Sequence, residues 1–286
     1  MTDYMIKLSS GNKTLEISPN SECRLVEGGL SGFDCTGFDV KLNPYAILQG
    51  GYVQKRRFAE RELGLTFEIS VLGEAANSVR RRIVSMMNPR EDLELEIHMY
   101  GVNRRISVIP YDEAQFFRAT FADYTEVSLK FISPAVFFSD TKSEVIRFRD
   151  AVPIFTFPLN FMSGAGTVSG VYRVSDKTTA KNDGDGECGI VAKIRASGGN
   201  VINPGIKCGD NFVKCPITLY DGDELIIDTR ARMKNIYLNG ERFFSFERDS
   251  VFFDLPMGEC QMSVLCTSGG EYIEAEVEYT PIYFGL

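Results

Sequence analysis

Several segments of the chain alternate apolar and polar residues with the two-residue period of a β-strand. Apolar residues occupy every second position in Leu65–Val71, Leu93–Met99 and Val127–Phe131. This alternation places apolar side chains on one face of a sheet and polar side chains on the other. One buried face and one solvated face are typical of antiparallel sheets. The first half of the chain is therefore predicted to be mainly β.

One segment in this half has a helical period instead. Four apolar residues recur at every fourth position and form a stripe: Ala75, Val79, Ile83 and Met87. This spacing predicts a helix over about residues 74–88. We expect Asn88-Pro89 to end the helix, because the residue before a proline disfavours the α conformation.

The second half is predicted to contain short strands separated by turns. Asn239-Gly240 lies between Ile236–Leu238 and Arg242–Phe246, and this dipeptide is a strong hairpin signal. Strand alternation recurs at Ile273–Tyr279, and a short aromatic strand is predicted at Ile154–Phe157. Short strands with frequent turns are typical of a β-sandwich or a barrel.

The strand rhythm breaks between Ser133-Pro134 and Asp150, which predicts a boundary between two units. A chain of 286 residues is long enough for two domains of roughly 100–200 residues each. We therefore predict a mainly β protein with a first unit at residues 1–140, which contains the helix, and a second unit at residues 141–286.

The composition leaves little room for enzyme chemistry. The chain has one histidine, His98, and no tryptophan. A single imidazole cannot supply a multi-histidine metal site, and the commonest general base is almost absent. The lack of tryptophan removes the usual large stacking platform for sugars and bases. We predict a non-enzymatic protein with no catalytic residue, no metal and no cofactor.

The net charge of −8 does not indicate a nucleic-acid-binding protein. Residues 1–150 carry 19 basic and 21 acidic side chains, and the remaining residues carry 12 and 18. Neither half therefore has the basic surface that binds a phosphate backbone. An acidity of this size mainly favours solubility.

The cysteines and the first residues of the sequence favour a reducing compartment. Seven cysteines occur without C-x-x-C spacing, and we predict that they are free thiols, several of them buried. The first residues show no secretory signal, and no apolar run is long enough to span a membrane. The chain is expected to be made and folded in a cytoplasm.

His98 is the first candidate for chemistry. It shares the polar face of its strand with Glu94 and Glu96, and a carboxylate beside an imidazole is an arrangement used for acid–base catalysis or metal binding. No second histidine and no nucleophile motif accompany it. We interpret His98 as a solvated or interface histidine.

Two acidic segments suggest further sites. Residues 182–187 cluster acids among glycines, but an EF-hand from Asp183 would need Gly and Glu where Cys188 and Ile194 stand, so a hairpin tip is favoured over calcium binding. Glu274, Glu276 and Glu278 suggest a glycosidase pair. Their regular alternation is explained more simply by a solvated strand face.

Basic residues cluster in the first unit: Lys55-Arg56-Arg57 with Arg61, Arg80–Arg82, and Arg104-Arg105. Such clusters can bind phosphate, but they lack the interleaved aromatic residues and the net basic face of a nucleic-acid site. We favour solvated faces or pairing at a subunit interface.

The order of turn and strand residues along the chain resembles that of siphophage distal tail proteins, the Dit family. In the first unit the resemblance rests on Gly50-Gly51, Arg61, Leu65–Val71, the helix before Asn88-Pro89, Arg104-Arg105, and Phe131 with Ser133-Pro134. In the second unit it rests on Asn203-Pro204, Gly222-Asp223, Ile226–Thr229, Leu238–Gly240, Phe252-Phe253 with Leu255, and Gly258.

The resemblance implies a fold and a role. The first unit would be a ring-forming β-sandwich or split barrel with one helix, and the second a galectin-like β-sandwich. Such proteins form hexameric rings, sometimes stacked, as the hub of the tail tip or baseplate. They contact the tail tube protein on one side and a tip protein or lysin on the other, while DNA passes through the channel. The protein would be assembled in the bacterial host cytoplasm and would end in the virion.

A galectin-like unit also suggests the alternative of a carbohydrate-binding adhesin. Galectins stack a tryptophan on the sugar and use a polar set that includes histidine, whereas this chain lacks tryptophan and has its histidine in the other unit. Tyr172, Tyr220 and Tyr237 are the remaining candidates for stacking on a sugar.

Overall fold

The computed structural model describes residues 4–118, 125–153, 170–174 and 177–286. The chain divides into two compact units, Met1–Thr141 with Ile282–Leu286, and Lys142–Pro281. The sequence predicts that the second unit runs to residue 286, but the last five residues lie in unit 1, where Tyr283 and Leu286 pack against its core. The predicted strand Ile154–Phe157 lies outside the described residues.

The strands of unit 1 before unit 2 begins are β1 (Met5–Ser10), β2 (Lys13–Ile17), β3 (Cys23–Ser31), β4 (Phe38–Pro44), β5 (Gly51–Phe58), β6 (Arg61–Ile69), β7 (Leu93–Met99), β8 (Val102–Pro110), β9 (Gln115–Arg118), β10 (Thr125–Ser133) and β11 (Phe138–Asp140). Helix α1 (Gly73–Met86) lies between β6 and β7.

The strands of unit 2 are β12 (Glu144–Arg147), β13 (Arg149–Pro153), β14 (Gly170–Val174), β15 (Lys177–Asn182), β16 (Ile190–Ala196), β17 (Val201–Ile202), β18 (Gly205–Cys208), β19 (Asn211–Lys214), β20 (Thr218–Leu219), β21 (Glu224–Asp228), β22 (Asn235–Leu238), β23 (Glu241–Arg242), β24 (Gly258–Leu265) and β25 (Ile273–Tyr279). A 3₁₀ turn, Gly270–Tyr272, precedes β25. Strand β26 (Ile282–Tyr283) belongs to unit 1.

Seven strands of unit 1 close into a barrel. Their order is β8-β7-β1-β2-β3-β6-β10, and β10 pairs again with β8. Neighbouring strands are antiparallel except β2 and β3, which pair in parallel at Ile17 and Cys23. Strand β11 extends the sheet from β8, and β26 pairs with β11. The predicted mainly β first unit with one helix is confirmed.

The barrel interior is built from the alternation seen in the sequence. All but one of the apolar positions of the predicted strands are buried: Leu65, Phe67 and Ile69 in β6, Leu93, Leu95, Ile97 and Met99 in β7, and Val127, Leu129 and Phe131 in β10. The exception is Val71, which lies beyond the end of β6 and is half-buried. Because side chains alternate across a strand, closing the barrel moves each of these rows out of water together.

Helix α1 is confirmed, with a correction to its buried stripe. Val79 and Ile83 are buried as predicted, but Ala75 is exposed and Met86 is buried in place of Met87. A strict four-residue spacing drifts by about 40° per step on a helix of 3.6 residues per turn, so the ends of the predicted stripe leave the buried face. Among the described residues, no helix is long and apolar enough to cross a membrane.

Unit 2 contains two larger sheets, β12-β25-β16-β21-β22-β23 and β15-β24-β18-β19. The predicted sandwich class is confirmed, and the apolar row of β25 is buried as expected. Asn239 and Gly240 form the predicted hairpin turn with φ angles of 51° and 84°, both in the left-handed region that this turn requires.

The second strand of that hairpin is shorter than predicted. The sequence predicts a strand over Arg242–Phe246, but β23 ends at Arg242. The chain then leaves this sheet and runs beside β19 of the other sheet. There the Glu247 backbone N–H donates to the Lys214 carbonyl at 2.8 Å, and the Val251 N–H donates to the Phe212 carbonyl at 2.8 Å. Backbone hydrogen bonds to β19 therefore replace the pairing with β22 in this segment.

The prediction of seven free thiols is wrong for one pair. Cys208 in β18 and Cys260 in β24 are joined by a disulfide, with Cα atoms 6.6 Å apart. Pairing of these two strands brings the side chains together, although 52 residues separate them in sequence. Cys23, Cys188 and Cys215 are buried thiols, and burial raises the pKa of each to about 12. Such thiols are unreactive.

Candidate assembly interface

Strands β4 and β5 form a hairpin that stands apart from the barrel sheet. Within the described part of the chain they pair with each other and with no other strand. The pairing runs from Phe38 opposite Phe58 to Pro44 opposite Gly51, with one irregularity after Lys41. We call residues Phe38–Phe58 the arm. An isolated two-stranded hairpin is marginally stable in water, so the arm is a candidate for contact with another surface.

One face of the arm is apolar and exposed. Residues opposite each other in an antiparallel pair point to the same side, so Phe38, Val40 and Leu42 share a face with Val53, Arg56 and Phe58. Phe38 is 67% exposed and Leu42 is 63% exposed. A contiguous apolar strip of this kind is uncommon on a monomer and marks an interaction site.

The opposite face of the arm is polar and internally paired. Asp39 accepts hydrogen bonds from Lys55 Nζ at 2.6 Å and from Arg57 Nε at 2.8 Å. The hydrogen bond from Lys55, and then that from Arg57, lowers the pKa of Asp39 below its usual value. Asn43 donates to the Tyr52 hydroxyl at 3.4 Å. These contacts join the two strands and leave the apolar face for another partner.

The tip of the arm is also apolar. Ile47 is 96% exposed and Leu48 is 72% exposed. The tip is closed by a hydrogen bond from the Tyr45 backbone N–H to the Gly50 carbonyl at 3.1 Å. The Tyr45 and Tyr52 rings face each other across its base at a tilt of 42°, with centroids 6.0 Å apart. The apolar surface thus continues from the strands to the end of the hairpin.

The arm is not among the elements predicted from the sequence, although the sequence contains a signal for it. Phe38, Val40 and Leu42 alternate with polar residues, with the same period as the strands predicted to lie in the barrel. Within the arm, the sequence draws attention only to the basic residues Lys55–Arg57 and to Gly50-Gly51. This pattern predicts a strand with one face covered, but it does not reveal that no described element of unit 1 covers that face.

The sequence predicts a solvated or interface position for Arg61, and this prediction is wrong. Its side chain is 1% exposed. The guanidinium donates to the carbonyls of Val136 at 2.8 Å, Gly32 at 3.0 Å and Phe284, and it lies 4.6 Å from the Phe138 ring centroid. Three acceptors and an aromatic face compensate the loss of water around this cation.

The remaining arginine clusters are dispersed among local partners. Arg80 lies over the Phe116 ring, and Arg82 pairs with Glu22. Arg104 lies 3.3 Å from the Tyr283 ring centroid and pairs with Asp140, whereas Arg105 is 3.7 Å from Glu94. The clusters therefore do not form one anion-binding site among the described residues.

His98 also has a local partner. Its Nδ1 lies 2.6 Å from Asn103 Oδ1 on the neighbouring strand. Glu94 and Glu96 pair with Arg105 and Lys7, at 3.7 Å and 3.6 Å. The two carboxylates that could have formed an acid–base pair with this histidine therefore form ion pairs with cations on adjacent strands.

The two acidic segments are ordered by contacts within the protein. Asn182 is buried and donates to the carbonyls of Gly186 and Leu255, while Asp183 pairs with Lys181 at 3.0 Å. Within residues 4–118, 125–153, 170–174 and 177–286, no group of three or more His, Cys, Asp or Glu side chains could hold a metal ion. Glu276 pairs with Lys193 at 3.3 Å.

The tyrosines considered for sugar stacking lie on different elements. Tyr220 is exposed at the turn before β21, where its backbone N–H donates to Asp223. Tyr237 is half-buried in β22, opposite Ile226 of β21. The side chain of Tyr172 lies outside the described residues.

Comparison with known proteins gives a sequence match over part of the chain and a fold match along nearly all of it. Residues 183–283 match the family model of the siphovirus-type tail component, C-terminal domain. The chain is similar to the crystal structure of SPP1 Dit, described as a paradigm of the hub adsorption apparatus in phages that infect Gram-positive bacteria. The TM-score is 0.66 at 12% identity, over 97% of this chain and 98% of that one.

The chain is also similar to a chain in the structure of the phage P2 baseplate in its activated conformation with calcium. This match has a TM-score of 0.51 at 11% identity and covers 98% of both chains. No curated protein sequence matches the chain. The resemblance to distal tail proteins is confirmed, by sequence in the second unit and by fold along nearly the whole chain. The proteins it resembles are structural components of phage tails.

Proposed function

We propose that this protein is a structural, non-enzymatic hub of the phage tail tip and that it forms a ring at the distal end of the tail tube. The exposed apolar face of the arm is the observation that carries the proposal. Burying that face requires a partner, and a second copy of the chain supplies a surface at the same concentration as the arm itself. The tail-component domain and the Dit-like fold support the location in the tail.

A ring follows when the arm of each copy docks on a different surface of the next. Such a head-to-tail contact is heterologous, and it closes into a cyclic oligomer when the rotation between copies divides a full turn. The resemblance to distal tail proteins favours a hexameric ring, with stacking of rings as a further possibility. Closure also covers the unpaired edges of the two arm strands.

Charge supports a second copy as the partner of the arm. The arm carries four basic residues and one acidic residue, whereas the whole chain has a net charge of −8. Asp39 is already occupied by Lys55 and Arg57, and Arg56 lies on the apolar face. The attraction between a basic arm and an acidic surface increases the rate of association and orients the two copies as they meet.

The ring would connect other components of the tail. The tube protein is the expected partner on one side, and a tip protein, a lysin or a receptor-binding protein is expected on the other. Assembly takes place in the host cytoplasm, and the finished ring lies in the virion. DNA passes through the channel, and the acidity of the chain suits a lumen that does not retain a phosphate backbone.

Two substitutions at adjacent positions on opposite faces of the arm test the proposal. Leu42→Lys places a charge on the apolar face, and Asn43→Lys places the same charge on the polar face. Native mass spectrometry and electron micrographs should show rings for the wild type and for Asn43→Lys. The Leu42→Lys protein should be monomeric at concentrations where the wild type is assembled.

Two outcomes contradict the proposal. A wild-type protein that stays monomeric at high concentration would exclude a self-assembling ring. Rings of equal stability from Leu42→Lys and the wild type would exclude the arm as the interface. Far-UV circular dichroism of both variants shows whether the monomer has kept its fold.

A further inference from the structure

Residues Ile282–Leu286, which we call the clasp, follow unit 2 in the sequence but complete unit 1. Strand β26 pairs with β11, with Tyr283 opposite Phe138 and Ile282 opposite Ser139. The Leu286 backbone N–H donates to the Phe33 carbonyl at 3.0 Å. Unit 1 therefore lacks part of its structure until the chain has passed through all of unit 2.

The clasp is held by the buried cation of the barrel. Arg61 donates to the carbonyl of Phe284 as well as to those of Gly32 and Val136. A Cβ atom at Gly285 would lie 1.6 Å from the Asp34 carbonyl oxygen, so the two backbones approach as only a glycine permits. Without the clasp, Arg61 loses one of its three acceptors.

The clasp also contacts the root of the arm. The Phe284 ring lies 4.9 Å from that of Phe58 and 5.0 Å from that of Phe137, measured between centroids. Phe58 is the last residue of β5, and its ring in turn lies 5.6 Å from that of Phe38, the first residue of β4. Phe284 therefore contacts one end of the arm directly and the other end through Phe58.

The order of synthesis separates these partners in time. The arm and the barrel strands lie within the first 141 residues, and the clasp comes after a further 140 residues, Lys142–Pro281. At a synthesis rate of about 5–20 residues per second, the clasp follows unit 1 by roughly 7–28 s. During this interval Phe58 and Arg61 lack Phe284.

We propose that the clasp is a checkpoint for ring assembly: Phe284 fixes the root of the arm, so that the arm can dock on a second copy only after unit 2 has been synthesised. The inference rests on the proposed function, because it concerns the docking of the same arm. Partly synthesised chains would then be excluded from rings, since a flexible arm root raises the entropy lost on docking.

The first experiment removes the clasp and supplies it in trans. A chain that ends at Pro281 should remain monomeric where the wild type forms rings, as measured by native mass spectrometry. Addition of the peptide Ile-Tyr-Phe-Gly-Leu in excess should restore rings, whereas a scrambled peptide of the same composition should not. Assembly of the shortened chain at the wild-type concentration, without peptide, would overturn the checkpoint.

The second experiment keeps the full chain and measures the arm root directly. The Ala59 backbone N–H donates to the Gly37 carbonyl at 2.8 Å, just beyond the ends of β4 and β5, and its hydrogen exchange reports on the root. In the Leu42→Lys background, Phe284→Ala should accelerate exchange at Ala59 by about tenfold, because two aromatic contacts are lost. Phe253→Ala, which removes a buried ring from unit 2, is the matched control and should leave this amide unchanged.

Equal exchange at Ala59 with and without the Phe284 ring would overturn the coupling between clasp and arm, even if the shortened chain failed to fold. The two proposals fail differently. A wild type without rings contradicts the proposed function, and the exchange measurement still decides the coupling. Wild-type rings together with rings from the shortened chain contradict the checkpoint alone.

Discussion

Strands β4 and β7 have the same pattern of side chains and opposite surroundings. In β7, Leu93, Leu95 and Ile97 alternate with polar residues, and each is at most 1% exposed. In β4, Phe38, Val40 and Leu42 alternate in the same way, and each is more than half exposed. The two strands lie in the same unit and differ in what packs against their apolar face.

The difference shows what alternation can specify. A period of two separates the side chains of a strand into two faces and indicates that one face is to be covered. The cover itself comes from other elements: β7 is part of the wall of a closed barrel and its apolar row faces the core, whereas β4 pairs with β5 alone among the described residues. A well-patterned strand without a cover in its own unit indicates an interface between molecules.

The largest expected effect comes from truncating one phenylalanine in each environment. Phe67→Ala should lower the free energy of unfolding by about 3–5 kcal/mol, because Phe67 is fully buried and its loss leaves a cavity. Phe38→Ala should cost the monomer less than about 1 kcal/mol while weakening assembly. Urea unfolding followed by circular dichroism measures the first quantity, and equal losses for the two variants would contradict the comparison.

A smaller effect is expected from the same polar substitution in both strands. Val127→Thr should destabilise the fold by about 1–3 kcal/mol, since it puts a hydroxyl into the barrel core. Val40→Thr should change monomer stability by less than about 0.5 kcal/mol, because Val40 is 55% exposed. Sedimentation or light scattering of Val40→Thr should show weaker assembly. A stable Val127→Thr protein would show that the barrel tolerates polar groups.

The smallest effect concerns the polar face of the arm. The pKa of Asp39 is lowered in the folded arm by its hydrogen bonds to Lys55 and Arg57. Its contribution is therefore present above the usual aspartate pKa of about 4 and is lost as the pH falls through the lowered value. The amide NMR signals of the arm should change over this acidic range in the wild type. Asp39→Asn should remove that change, and its persistence would assign it to another group.

The sequence predicted the elements whose signal is local. The apolar rows of β6, β7, β10 and β25 are buried as their alternation indicated, and Val79 and Ile83 anchor the predicted helix. Asn239-Gly240 forms a hairpin because these two residues tolerate the positive φ angles that its turn needs. These features depend on neighbours a few residues away, and a single sequence contains that information.

The features that the sequence did not predict correctly depend on contacts between residues that are far apart in the chain. Arg61 looks like one more surface cation beside Lys55–Arg57, yet its acceptors come from residues 32, 136 and 284. The disulfide joins Cys208 to Cys260 because β18 and β24 are neighbours in a sheet. Neither partner set has a periodicity along the chain, so pattern analysis cannot find it.

The sequence by itself determined that the protein is mainly β and that its strand pattern is interrupted between two units. It also determined which side chains of each alternating strand share an apolar face. Those properties follow from side-chain alternation, which is fixed by local backbone geometry. The tertiary structure decided which apolar rows are covered, that the arm is left exposed, and that Ile282–Leu286 returns to unit 1. Burial is a property of elements brought together from distant parts of the chain, and the same alternation is compatible with a core and with an interface.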